Sequence, residues 1–149
     1  DAKVQVIWQT GKMYYESVKA QVNNKDLRKI RIHDFLKQMD LAYAASDVVI
    51  SRAGALAISE LCLAKRPSIL VPSPNVAEDH QTKNAMALVN EQAALVIKDS
   101  DANTQLIDTA LKLLYDESQC QKLAVNSAKL GKPNATEQIV NEIEKLIIQ

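Results

Sequence analysis

The chain has 149 residues, of which 47% are hydrophobic and 24% are charged, so it is long enough and apolar enough to fold around a core of its own. Its 18 basic and 18 acidic side chains give a formal net charge of zero, which argues against a nucleic-acid-binding protein. No apolar run is long enough to span a bilayer, so any membrane contact is expected to be peripheral.

Strand and helix patterns alternate along the chain. Strands are predicted over residues 4–8, 30–35, 48–50, 67–72 and 93–97. Helices are predicted over residues 14–22, 36–45, 103–115, 117–130 and 135–148, with two more beginning after Gly54 and near His80. Five strand–helix alternations predict an α/β domain with a parallel sheet and right-handed crossovers.

The middle of the chain carries the strongest signal for a ligand site. Val48-Val49-Ile50 is a β-branched run typical of a strand covered on both faces. Gly54 then predicts a sharp turn that a ligand can approach closely. The helix that follows presents unpaired N–H groups and the positive end of its dipole, with Glu60 on its second turn.

A second strand–loop–helix unit follows directly. The strand over residues 67–72 ends in a proline, the polar loop of residues 73–79 comes next, and a helix begins near His80. Two neighbouring strands would therefore deliver polar groups to the carboxyl edge of a sheet, which is where open α/β sheets bind ligands.

Several kinds of reactive centre are missing from the sequence. It has no Walker loop, no G-x-G-x-x-G motif and no nucleophile elbow around a serine. His33 and His80 lie far apart, with no cluster at metal-ligand spacing, so neither a metal nor a cofactor is expected. Cys62 and Cys120 are isolated, which favours reduced thiols in a cytosolic protein.

What remains is a group of residues suited to polyhydroxyl compounds: Glu60, His80, Gln81 and Asn84. A carboxylate near a helix N-terminus stays ionised and can accept two hydrogen bonds from a vicinal diol. Amide and imidazole groups offer the donors and acceptors that sugar hydroxyls need. A plainer interpretation also stands, with Glu60 a solvated surface residue and His80-Gln81 simply a helix start.

These residues fall in motifs that resemble the sugar-nucleotide signature of the MurG family. The motifs are RAGALAISE at residues 52–60, PSILVP at 67–72, DHQTKNA at 79–85, FLKQMDLAYAASDVV at 35–49 and WQTGK at 8–12. The resemblance implies a Rossmann-like parallel sheet with flanking helices, the C-terminal domain of a GT-B glycosyltransferase.

The resemblance also implies an activity. Enzymes of this family move N-acetylglucosamine from UDP-N-acetylglucosamine to the undecaprenyl-pyrophosphoryl-muramyl-pentapeptide lipid of peptidoglycan synthesis, and so serve cell wall biogenesis, cell shape and cell division. They are inverting hexosyltransferases that use no metal or cofactor. Their expected location is peripheral, at the cytoplasmic face of the bacterial inner membrane.

Carried over to this chain, the family pattern implies substrate-binding roles and no catalytic residue. Glu60 would hold the ribose hydroxyls, and His80 and Gln81 would face the sugar. Ala57 stands where some members have threonine, and His80 where others have glutamine. For Asn84 a structural role in its helix is favoured.

The remaining implied contacts concern the diphosphate and the base. Leu56 and Ala57 would lie near the diphosphate, beside Gly54 and Arg52. The Leu36 backbone would form the uracil pocket, and Phe35 and Met39 would surround it. Core packing is an equally open interpretation of Phe35 and Met39.

The chain departs from the family pattern at its beginning. The family pattern implies an N-terminal acceptor domain with the proposed general base, and a first strand with a Gly-Gly-Ser loop, none of which is expected within residues 1–149. Residues 1–149 are therefore interpreted as a single donor-binding domain that is inactive alone. The missing strand is expected to leave a gap in the sheet, a pair of exposed strand edges or a rearranged sheet, or to be compensated by pairing between chains. The apolar stripe of the last helix is expected to be exposed unless it packs locally. The stripe consists of Ile139, Ile143, Leu146 and Ile147.

Three other interpretations remain open. The chain could be the non-catalytic UDP-sugar-binding subunit of a split transferase, although such a subunit should retain its first strand. It could belong to a related glycolipid glycosyltransferase that uses diacylglycerol, because the acceptor is chosen by the absent domain. It could also be an α/β domain with a purely structural role.

Overall fold

The structure is a computed structural model that describes residues 3–22, 29–75 and 79–147. The chain divides into two compact units, Asp1–Ala45 and Ser46–Gln149. Each unit contains parallel strands with helices between them, which confirms the predicted α/β class. The five predicted strands are all present, and they form two parallel sheets, one of two strands and one of three.

The first unit is a strand–helix–strand–helix segment. Its elements are β1 (Val6–Gln9), α1 (Lys12–Val22), β2 (Ile30–His33) and α2 (Met39–Ala45). The two strands pair in parallel from Val6↔Ile30 to Gln9↔His33. Gly11, between β1 and α1, has a φ of +76°, a left-handed conformation that glycine adopts without a steric penalty.

The segment between β2 and α2 corrects two predicted boundaries. The strand ends at His33 instead of residue 35, and the helix begins at Met39 instead of residue 36. The Phe35 N–H donates to Asp34 Oδ1 (2.8 Å), a local contact that competes with further strand pairing. The Leu36 N–H donates to the Gln9 side chain, so neither residue belongs to a regular element.

The second unit contains a three-stranded parallel sheet in the order β3-β4-β5. Its elements are β3 (Val49–Ser51), α3 (Ala55–Ala64), β4 (Ser68–Leu70), α4 (His80–Asn90), β5 (Leu95–Val96), α5 (Ala102–Leu114), α6 (Glu117–Leu130) and α7 (Ala135–Ile147). The helices agree closely with those predicted, and the predicted last residue, Ile148, lies outside the described residues. Residues 76–78 of the predicted polar loop also lie outside them.

The core of the second unit lies around its central strand. All three residues of β4 are buried, and Ile69 packs in one cluster with Ile97, Leu113 and Leu123. The cluster anchors α5 and α6 against the sheet, because Leu113 and Leu123 belong to those helices. Burying four large aliphatic side chains contributes roughly 1.5–3 kcal/mol each to folding.

The last helix, α7, carries the predicted apolar stripe on an exposed surface. The exposed fractions range from 50% for Ile143 to 76% for Ile147. The expectation of exposure is therefore confirmed. Within the described ranges, no helix has both the length and the apolar character needed to cross a membrane.

Candidate functional site

The loops that follow β3, β4 and β5 meet at one edge of the sheet. The three strands are parallel, and Ser51, Leu70 and Val96 are in register at their carboxyl ends. The polar groups predicted to follow the first two of these strands therefore share one edge, as expected for a ligand-binding α/β sheet.

Arg52 links these loops to one another. Its Nη1 donates to the Val71 carbonyl (3.2 Å) and the Pro72 carbonyl (3.5 Å), and it forms an ion pair with Asp99, which follows β5. The Arg52 side chain is still 56% exposed. A guanidinium has five N–H donors, so these structural contacts leave donors for a substrate. The predicted contact between Arg52 and a substrate stays a prediction.

Two side chains of α4 hold the peptide groups on either side of Ala53, which is fully buried between β3 and α3. Gln81 Oε1 accepts the Ala53 N–H (3.2 Å) and the Ser73 N–H (2.9 Å). Asn84 Nδ2 donates to the Ala53 carbonyl (3.1 Å). The Asn84 contact supports the structural role favoured for that residue. Because the Gln81 oxygen is bonded to two backbone N–H groups, the Nε2 group of Gln81 is the one available to a ligand.

The N-terminus of α3 has no side-chain cap. The first intrahelical bond runs from the Ile58 N–H to the Gly54 carbonyl (3.0 Å), so the N–H groups of residues 55–57 precede it, and no side chain forms a capping bond at Gly54. Such a helix end binds anions through its N–H groups and its dipole. Gly54 has an extended backbone (φ −68°, ψ 149°), so the sharp turn predicted there is wrong. No heavy atom lies within 4 Å of a Cβ built on Gly54, which preserves the predicted close approach.

The other predicted residues of this unit lie on α3 and α4. Glu60 is on the second turn of α3, as predicted, and its side chain is exposed. Leu56 is 81% exposed and Ala57 is half-buried at the start of the same helix. His80 is the exposed first residue of α4 and follows Asp79, whose φ of 54° is unusual for a residue with a side chain.

The predicted base-binding residues belong to the first unit. Phe35 is 61% exposed, so core packing does not explain this aromatic residue. Leu36 is half-buried in the loop after β2, and Met39 is the half-buried first residue of α2. All three follow the carboxyl end of a parallel strand.

The cysteines show no sign of a reactive centre. Burial raises the pKa of the Cys62 thiol. Burial, and then the charges of Asp116 and Asp47, raise the pKa of the Cys120 thiol. Both thiols are free and stay protonated at neutral pH. No group of metal-binding side chains occurs in the part of the chain that the structure describes.

Sequence reasoning missed the partners that hold the site together. Ala53, Ser73 and Asp99 contribute backbone groups or a counter-ion, for which a single sequence offers no signal. Gln9 lies in one of the motifs that carry the resemblance, so the sequence does contain a signal for this residue. The sequence analysis assigns no role to it.

Comparison with known proteins decides the family. The sequence profile of the glycosyltransferase family 28 C-terminal domain matches residues 1–139. The chain belongs to this family. This membership is consistent with the resemblance to MurG that was inferred from the motifs. Relatives with similar sequences are named for the same transferase activity.

Two such relatives are named UDP-N-acetylglucosamine–N-acetylmuramyl-(pentapeptide) pyrophosphoryl-undecaprenol N-acetylglucosamine transferase. The protein of Bacteroides thetaiotaomicron is 53% identical over 96% of this chain, and that of Porphyromonas gingivalis W83 is 50% identical over 99%. The family 28 chain spans 39% of the length of each.

Solved structures agree with the family and the fold. The crystal structure of Acinetobacter baumannii MurG is similar to this chain, with a TM-score of 0.80 and 28% sequence identity. The match covers 97% of this chain and 42% of the MurG chain. A glycotransferase of kitacinnamycin matches 92% of this chain and 34% of its own, with a TM-score of 0.65. Its 19% identity bears on the fold alone. The predicted GT-B type of fold is confirmed.

Proposed function

We propose that this family 28 chain is the donor-binding part of a hexosyltransferase. The enzyme would move N-acetylglucosamine from UDP-N-acetylglucosamine to the undecaprenyl-pyrophosphoryl-muramyl-pentapeptide lipid of peptidoglycan synthesis. The observation that carries the proposal is the open N-terminus of α3 at the carboxyl edge of the sheet, with the Glu60 carboxylate further along the same helix. The names of the relatives supply the identity of the sugar and the acceptor.

The proposal assigns the diphosphate and the ribose to α3. The N–H groups of residues 55–57 and the helix dipole would neutralise the diphosphate, and the absence of a side chain on Gly54 would let it approach. Glu60 would accept hydrogen bonds from the two ribose hydroxyls, an arrangement that only an ionised carboxylate offers on both oxygens.

The sugar is assigned to the start of α4. Gln81 would act through its Nε2 as a donor, because its oxygen is already bonded to two backbone N–H groups. His80 would contact a further hydroxyl from the exposed first position of the helix. Asn84 would support this arrangement through Ala53.

The base is assigned to the loop after β2. The Leu36 carbonyl would accept the uracil N–H, because the Leu36 N–H is already bonded to the Gln9 side chain. The exposed ring of Phe35 is suited to stacking on a base, and Met39 would supply apolar contact.

The assigned mechanism is an inverting displacement that needs no metal. The acceptor hydroxyl would attack the anomeric carbon while UDP leaves, and the positive end of α3 would stabilise the negative charge that develops on the diphosphate. No catalytic base is assigned to this chain, so we expect it to bind the donor without turning it over. The acceptor, the base and peripheral contact with the inner membrane are assigned to the whole transferase.

Isothermal titration calorimetry tests the proposal. We expect the chain to bind UDP-N-acetylglucosamine and UDP, and to bind ADP at least about tenfold more weakly, since a hydrogen-bonded site rejects a mismatched partner by about this margin or more. Equal affinity for ADP and UDP would show that the site does not recognise the base. No binding of UDP by the folded chain would contradict the proposal.

A further inference from the structure

Gln9 connects the end of β1 to the loop that follows β2. Its backbone is paired in the sheet opposite His33, at the last pair of the two strands. There, Gln9 Oε1 accepts the Leu36 N–H at 2.7 Å, which is a short and well-formed hydrogen bond between residues 27 positions apart.

The residue after Gln9 holds the same loop at its beginning. The Thr10 N–H donates to the His33 carbonyl (2.9 Å), and the Thr10 hydroxyl contacts the same carbonyl (3.2 Å) and the Gly11 carbonyl (3.1 Å). The left-handed backbone of Gly11 turns the chain into α1 directly afterwards. The QTG sequence at residues 9–11 thus joins the ends of the two strands.

The contact matters because the loop has little regular structure of its own. Leu36 precedes α2, whose first turn is bonded from the Ala42 N–H to the Gln38 carbonyl. Gln9 is exposed, so it adds little to a core, and its side chain is ordered by this bond at a cost in rotamer entropy. A polar contact of this kind is suited to fixing the direction of a peptide group.

We propose that Gln9 is a positioning residue for base recognition: by accepting the Leu36 N–H, its side chain holds the Leu36 backbone so that the Leu36 carbonyl can accept the N–H of a uracil base. The inference rests on the proposed function, which places the base at Leu36. A loop that is already ordered binds more tightly, because less conformational entropy is lost on binding. Gln9 would therefore act on the base through Leu36.

Titration of three variants with UDP, CDP and inorganic pyrophosphate tests the inference. Gln9→Met removes the acceptor at similar length, Gln9→Glu keeps an acceptor oxygen, and Gln5→Met makes the same change at another exposed glutamine of this unit. We expect Gln9→Met to bind UDP about three- to tenfold more weakly, the worth of one hydrogen bond, and to discriminate less between UDP and CDP. Gln9→Glu, Gln5→Met and all pyrophosphate affinities should stay near those of the unmodified chain.

Amide exchange measured by NMR supplies a readout that needs no ligand. The Leu36 amide should exchange faster in Gln9→Met than in Gln5→Met, and slowly again in Gln9→Glu. Unchanged or tighter UDP binding by Gln9→Met would overturn the inference, as would an equal loss for UDP, CDP and pyrophosphate. Failure of the unmodified chain to bind UDP would instead overturn the proposed function on which the inference rests.

Discussion

Replacing Glu60 with glutamine is expected to weaken the binding of UDP by about 10- to 100-fold, because hydrogen bonds to a charged group are worth about 1.5–3 kcal/mol. The change keeps the size of the side chain but removes its charge and replaces one acceptor oxygen with a donor, so the two ribose hydroxyls can no longer each donate to a separate carboxylate oxygen. Glu60 is exposed on the second turn of α3, so the chain should fold as before. Calorimetric titration with UDP measures the effect.

A ligand lacking one ribose hydroxyl separates this explanation from a general loss of affinity. The unmodified chain should bind 2′-deoxyuridine diphosphate more weakly than UDP, whereas Glu60→Gln should distinguish the two ligands much less. Glu137→Gln makes the same change at an exposed glutamate of α7 and should bind UDP normally. Glu60→Gln that binds UDP as tightly as Glu137→Gln would show that the ribose is held elsewhere.

Replacing Gln81 with methionine is expected to lower the free energy of unfolding by about 2–4 kcal/mol, since each buried N–H left unsatisfied costs about 1–3 kcal/mol. Gln81 Oε1 accepts two backbone N–H groups, and one of them belongs to Ala53, which is 0% exposed. Urea unfolding gives the change in free energy. The matched control is Gln105→Met, at an exposed position of α5, with an expected change within about 0.5 kcal/mol.

The variant Gln81→Glu separates the structural role of this residue from its proposed role in binding the sugar. A carboxylate keeps both acceptor bonds and lies at the favourable end of the α4 dipole, so stability should stay within about 1 kcal/mol of the unmodified chain. The lost Nε2 donor should weaken UDP-N-acetylglucosamine binding and leave UDP binding nearly unchanged. Equal losses for the two ligands would contradict the assignment of Gln81 to the sugar.

The sequence predicts this fold well because its elements have strong local signals. Val48-Val49-Ile50 marks β3, and the helices of the second unit agree with their apolar periodicity. The positions of Glu60 and His80 in their helices could be predicted, because each lies a fixed number of residues from a predicted helix start. The carboxyl edge of the sheet follows from the parallel strands alone.

The sequence does not predict contacts between distant segments. The ion pair between Arg52 and Asp99 joins residues 47 positions apart, and the Gln9 contact with Leu36 joins residues 27 apart. Neither leaves a periodic pattern. The late start of α2 has the same origin, because the peptide groups before Met39 bond to side chains outside any helix.

Gly54 shows a different limit. Its position after a strand predicted a sharp turn, yet its φ of −68° is open to most residues. The open space above it, and not its backbone conformation, sets it apart. A single sequence does not distinguish a glycine required by its backbone conformation from a glycine that leaves open space.

The most direct test of the donor site is an NMR titration of the ¹⁵N-labelled chain with UDP-N-acetylglucosamine. The account predicts saturable shifts of the amides at Gly54, Leu56 and Ala57, at the side-chain amide of Gln81, and at Leu36. UDP should reproduce all of these shifts except the one at Gln81. Saturable shifts confined to α5, α6 and α7, with Gly54 and Leu56 unmoved, would contradict it.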